Sequence, residues 1–264
     1  MDHSIDGDQA HHARTIVDLL RRELTKHLDV DKVVASFGQV AAATRREDGE
    51  IFALRDHLRG MVLALLSANR PWKPIADRMA QLENVFGGYR PSFLESADPE
   101  QLERDVRSLQ CGNRRISFQM RAIKPNIETF RRIDAQHGTI DNYVGGTAIE
   151  DVVCQLGEGR TNKLRELGPT LVLEYLKNVG VRASKPDVHL LRIFGPKRLG
   201  ILPEAATPLE AFAAFRRFAA AAERHEVELD NLVWLLGAEE YAARCGANPR
   251  CSDCALQTMC NRDA

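Results

Sequence analysis

Long apolar runs are missing from this 264-residue chain, and no stretch approaches the roughly 20 residues that a membrane-spanning helix needs. The start, Met1 to Ala10, lacks the basic and apolar blocks of a secretory signal, so the expected location is the cytoplasm, with no membrane partner. Alternating apolar and polar runs of the kind that make half-buried strands are nearly absent, which argues against a β-architecture. There is no internal repeat and no low-complexity segment. With a formal net charge of -1, the chain also lacks the overall basic imbalance of many nucleic-acid binders.

What is present is a globular composition, 44% hydrophobic and 28% charged, long enough for one large or two small domains. Apolar residues recur at helical spacing, as in Ile16, Leu19, Leu20, Leu24 and Leu28, then Leu54, Leu58, Met61, Val62, Leu65 and Leu66. The same pattern predicts helices near 72–86, 99–109, 116–136, 147–156, 170–179, 188–194, 208–224 and 227–243, separated by glycine, proline, asparagine or aspartate. The expected fold class is all-α. Arg45 to Glu50 reads as an exposed connection between an N-terminal helical pair and the main body.

Charge is distributed unevenly. Arg104 to Arg132 carries eight basic residues against Asp105 and Glu128, and Glu158 to Gly200 carries nine against four acidic ones. A single such run is ordinarily a solvated helix face. Two of them flanking a candidate site suit a polyanionic partner.

Six cysteines in a reducing cytosol argue against disulfides, and four fall within sixteen residues. Cys245, Cys251, Cys254 and Cys260 form C-x5-C-x2-C-x5-C, a spacing whose short loops can wrap a small iron-sulfur cluster. Zinc is the rival, although structural zinc sites more often pair two C-x2-C knuckles across a longer spacer. Cys111 and Cys154 stand apart in apolar helical contexts and are expected to be buried packing residues.

Leu232-Val-Trp-Leu-Leu-Gly-Ala-Glu-Glu-Tyr-Ala-Ala-Arg-Cys245 and the cysteines after it resemble the end of the endonuclease III family, one branch of the helix-hairpin-helix DNA glycosylases. That family's usual spacing is C-x6-C-x2-C-x5-C, one residue longer in its first loop, and the resemblance implies a [4Fe-4S] cluster. Leu164 to Arg192 similarly resembles the family's hairpin, helix, glycine turn and aspartate-bearing helix start. On that resemblance, Asp187, seven residues after Gly180, matches the catalytic aspartate. An anion beside the anomeric carbon suits cleavage of an N-glycosidic bond, which builds positive charge on the sugar, and the carboxylate can also orient or deprotonate water. An aspartate before a helix is ordinarily just a cap, a reading compatible with catalysis.

The hairpin departs from the family pattern. It keeps only Gly168 of two glycines that bring backbone amides to a DNA phosphate, and Glu166 lies near the first position. Pro169 and Thr170 stand where bifunctional members carry a lysine, which implies a monofunctional enzyme; Lys163, Lys177 or Lys185 is the alternative source of a nucleophile. By the same resemblance, Asn69 fills the gap left by a flipped nucleotide, with a helix C-cap as the equal alternative. Gly112-Asn113-Arg114 matches the loop that wedges the opposite strand. Gly168, Thr170 and His189 complete the expected DNA contacts, His189 in a structural or phosphate-binding role. Trp72 could stack on a base, but an aromatic starting an amphipathic helix is more often core.

The resemblance runs from about Leu54 to Cys260. It implies a six-helix barrel over 52–167, a second helical domain from 1–51 and 168–264 that carries the cluster, hairpin and aspartate, and a DNA cleft between them. The expected protein is a monomeric, nucleoid-associated DNA glycosylase that flips out a damaged or modified base from duplex DNA, in repair or against foreign DNA. The alternatives are a bifunctional glycosylase with lyase activity, a catalytically silent iron-sulfur DNA-binding protein, and a zinc-stabilised helical interaction protein.

Overall fold

The computed structural model describes residues 7–261; residues 1–6, part of the polar start, lie outside it. Among the described residues the chain is all-helical, with no strand, and no helix is long and apolar enough to cross a membrane. Two compact units divide it. One is residues 42–181, and the other is residues 1–41 with 182–264.

The 42–181 unit is built around the helix Leu54–Leu66. Leu58, Met61, Val62 and Leu63 to Leu66 are all buried, so its second half is apolar all round, the pattern of a central rather than a surface helix. It packs against Pro169–Asn178 and Ile116–His137. The unit is wider than the 52–167 segment expected from sequence, because Pro169–Asn178 is one of these central partners. Gly180 closes that helix at φ +75°, and a Cβ there would lie 2.2 Å from the Ala42 carbonyl oxygen, so both conformation and space require glycine.

A polar network crosses this core. Buried His57 lies 2.6 Å from the Tyr175 hydroxyl through Nδ1 and 3.1 Å from Asp141 through Nε2. Asp141 also accepts from the Phe52 amide at 3.0 Å and from Arg46. Every buried polar group of this set therefore has a partner.

The other unit packs the N-terminal helix Gly7–Thr25 against Pro208–Ala221 and Glu226–Gly237. Its core joins Ile16, Val17, Leu20 and Leu24 to Phe194, Phe215, Leu229, Leu232 and Leu236. Thr207 and Glu210 form a reciprocal capping box that starts Pro208–Ala221.

Several expected elements differ. The helix expected over 72–86 is two, Lys73–Ala76 and Met79–Val85, because Arg78 leaves helical dihedrals at φ -120° and ψ 21°. The expected connection Arg45 to Glu50 is exposed except at Arg46, but its first three residues are the end of Gly38–Glu47; Arg45 pairs with Glu50, and Arg46 reaches Asp141 and the Val179 carbonyl. The helix expected over 227–243 ends at Gly237, and the chain folds back so that the amides of Ala242, Arg244 and Cys245 bond the Leu235 and Leu236 carbonyls. Cys111 is buried as expected, but Cys154 is exposed. The helix Ile149–Gly157 turns Val152, Val153 and Leu156 inward and leaves Cys154 on the opposite face.

Candidate active site

Asp187 caps the helix Val188–Phe194 from an extended backbone. Its Oδ1 accepts from the amides of His189 at 2.8 Å and Leu190 at 3.1 Å. Oδ2 takes no hydrogen bond among the described residues, and the side chain is partly exposed. One oxygen is thus fixed by the helix start while the other is left without a hydrogen bond among the described residues. The preceding turn is held by the Asp187 amide on the Lys185 carbonyl, 2.7 Å, and by buried Pro186.

His189 is half-buried edge-on to Trp234, with ring centroids 6.4 Å apart. Gly237 makes room for it, since a Cβ at that position would lie 2.4 Å from Nδ1. Burial pushes the imidazole pKa down, and the Asp187 charge opposes this only in part. Val188 and Leu191 on the same helix are exposed at 58% and 38%, an apolar pair one turn apart that sequence reasoning overlooked because it read the segment as a motif.

In the 42–181 unit, Asn69 is exposed with φ +50°, the left-handed turn conformation to which asparagine is suited. The structure ties this turn to the 110–113 loop. Arg70 donates to the carbonyls of Gly112 at 2.9 Å and Gln110 at 2.8 Å. Asn113 donates to the Leu65 carbonyl and to Gln119, while its own oxygen accepts from the Arg115 amide at 2.8 Å. Asn113 therefore shapes the loop, and exposed Arg114 is the side chain left pointing to solvent. Trp72 is half-buried.

The hairpin precedes Pro169–Asn178. Asn126 braces it by exchanging two hydrogen bonds with the backbone of Arg165. Glu166 adopts φ +65°, so the turn keeps the left-handed geometry that glycine usually serves. Gly168 is the extended N-cap of a ten-residue helix and offers no side-chain cap; Thr170 is partly exposed in its first turn. A Cβ at Gly168 would meet nothing within 4 Å. Of the three lysines weighed as nucleophiles, Lys177 is 3% exposed and lies 3.6 Å from Glu174, Lys163 is exposed, and Lys185 is partly exposed.

Cys245, Cys251, Cys254 and Cys260 all line one small pocket, partly open to solvent. Ile193, Leu199, Leu236 and Leu256 form apolar walls, and Arg198, Arg244 and Arg250 bring positive charge. Buried Arg198 Nε has no hydrogen-bond partner among the described residues. Burial pushes the thiols of Cys245 and Cys254 up, with Arg198 opposing it at Cys245. No group of three or more histidine, cysteine, aspartate or glutamate side chains among the described residues is arranged to hold a metal ion. These four thiols, with the arginines beside them, are the side chains that could hold a cofactor here.

No protein-family model matches the sequence, nor does any curated protein. Solved structures do resemble it. The 8-oxoguanine DNA glycosylase of Thermotoga maritima superposes with a TM-score of 0.60 at 18% identity, over 84% of this chain and 96% of that one. An endonuclease III trapped as a covalent intermediate with DNA superposes with a TM-score of 0.55 at 18% identity, over 89% of this chain and 97% of that one. These are likenesses of fold.

Proposed function

We propose, from a fold shared with two DNA glycosylases, that this chain is a monofunctional DNA glycosylase that removes a damaged or modified base and leaves an abasic site. The observation that carries the reading is Asp187, with Oδ1 held by two helix amides and Oδ2 open. The amides orient the carboxylate through one oxygen and leave the other without a hydrogen bond among the described residues. Its free oxygen suits the positive charge that grows on deoxyribose as the base departs, and it can accept a proton from attacking water.

Asn69 and Arg114 are proposed to fill and flank the gap left by the flipped nucleotide, on the turn and loop that Arg70 and Asn113 brace. The uncapped start of Pro169–Asn178, with Gly168 and Thr170, is proposed to take a backbone phosphate. His189 supports Asp187 by packing. Pro169 and Thr170 after the hairpin support hydrolysis by water rather than attack by a lysine amine.

The four cysteines are read as ligands of a [4Fe-4S] cluster, supported by their shared pocket and by the positive charge of Arg198 beside Cys245. Such a group supplies a covalent crosslink for the C-terminal loop. The protein is read as a cytoplasmic, nucleoid-associated monomer acting in repair or on modified bases of foreign DNA. A catalytically silent DNA-binding protein is the second reading, favoured by the carboxylate of Glu166 beside the hairpin. Incubation with a panel of modified duplexes separates the two. The proposed activity gives breaks that require alkali at one modified base, and no break on any substrate supports the silent binder.

A further inference from the structure

The N-terminal helix Gly7–Thr25 has a packing stripe of Ile16, Val17, Leu20 and Leu24, and within its last two turns lies a carboxylate with no solvent exposure, Glu23. Packing does not require it, since an apolar side chain would fill the same place without a desolvation penalty. Its partners explain the position. Oε1 accepts from Arg244 Nε and lies 3.3 Å from His27 Nε2. Oε2 accepts from the Ala255 amide at 2.8 Å and from Lys26 Nζ at 2.6 Å. Arg244 also bonds the Asp253 carboxylate, and Lys26 donates to the Asp253 carbonyl at 2.7 Å.

Arg244 immediately precedes Cys245, while Asp253 and Ala255 bracket Cys254. A single buried side chain, more than 200 residues distant in sequence, therefore ties together the two strands of chain that carry these cysteines. From within the loop, Arg250 reaches the earlier segment through its amide on the Arg244 carbonyl, 3.0 Å, and its side chain on the Ala242 and Ala243 carbonyls, but it lies four residues before Cys254. A loop that orders only when its cofactor arrives loses its conformational freedom at that step, and prior ordering lowers this cost.

We propose that Glu23 is a positioning residue for the cofactor: it holds the segments before Cys245 and around Cys254 so that both cysteines line the cavity before the cluster is bound. The proposal rests on reading the four cysteines as iron-sulfur ligands. Outer partners of metal ligands typically change affinity about 10- to 100-fold.

The test compares wild type, Glu23→Gln, Lys26→Met and a control, Arg14→Ala, which removes an exposed pair with Glu223 on the same helix. Each full-length protein is reconstituted with iron and sulfide, and loss of visible absorbance is followed in an iron chelator with oxidant. Far-UV circular dichroism and melting of the iron-free forms report folding. Glu23→Gln is expected to release iron about tenfold faster with its helical signal intact. Lys26→Met should shift in the same direction, and Arg14→Ala should match wild type. Equal release by wild type and Glu23→Gln overturns the proposal. Should Glu23→Gln fail to fold, Lys26→Met decides, and a wild-type rate overturns it. Wild type that takes up no iron overturns the cofactor reading itself, and the role of Glu23 with it.

Discussion

Arg115 grips Glu166 through two parallel hydrogen bonds of 2.7 Å each, and Glu166 is the hairpin residue held at φ +65°. The guanidinium is 59% exposed and also lies 4.8 Å over the ring of Phe118, itself 55% exposed. If the hairpin meets DNA as proposed, a cation that could serve a phosphate is thus already engaged by the protein's own carboxylate.

Glu166→Gly removes that competitor. Duplex binding should tighten about fivefold, and the salt dependence should steepen by about one unit of log-log slope, as one more arginine meets a phosphate. Fluorescence anisotropy across a salt series reads both. Unchanged affinity and slope would separate the hairpin from DNA binding.

Gly168 and Gly180 separate function from folding. Gly168 has ordinary φ and open space, so Gly168→Ala should alter stability by less than about 0.5 kcal/mol while weakening duplex binding. Gly180→Ala must adopt φ +75° and displace the Ala42 carbonyl, and should cost at least about 2 kcal/mol. Urea denaturation beside a binding titration checks the contrast; equal stability losses would refute it.

Asp141 sets an acid limit on the 42–181 unit. Burial pushes its pKa up, but His57, Arg46 and the Phe52 amide outweigh burial and bring it from 3.8 to about 2. Because the folded value lies below the unfolded one, its contribution is complete above about pH 4 and is lost as pH falls toward 2; its size is about 2 kcal/mol. Burial also lowers the pKa of His57, which adds destabilisation in the same direction below pH 6.5. Asp141→Asn should be less stable at neutral pH and should flatten the stability profile between pH 4 and 2. A profile of unchanged slope would contradict the assignment.

The parts legible in the sequence are those encoded locally. Helical periodicity announced an all-α chain. Pro186-Asp187 before an apolar run announced a helix cap, and Cys245 to Cys260 stood close enough in sequence for a shared cavity to be expected. Long-range partnerships carry no such signature. Glu23 reads as one more charge on an amphipathic helix until Arg244 and Ala255 are brought to it. Nor did sequence show that the Asn113 amide braces the Leu65 carbonyl and its oxygen the Arg115 amide. Cys154 sits among apolar neighbours in sequence, but helical phase places it outside. The helix expected over 72–86 is broken at Arg78, where composition alone gives no warning.

The central claim is that the open oxygen of Asp187 drives base excision, and Asp187→Asn tests it most directly. Asparagine keeps an acceptor for the His189 and Leu190 amides, so the helix start should remain intact. On a duplex that wild type processes, single-turnover excision followed by alkali should slow by about 10² to 10⁴ with duplex binding retained. Strand breakage by the variant at the wild-type rate would contradict the account.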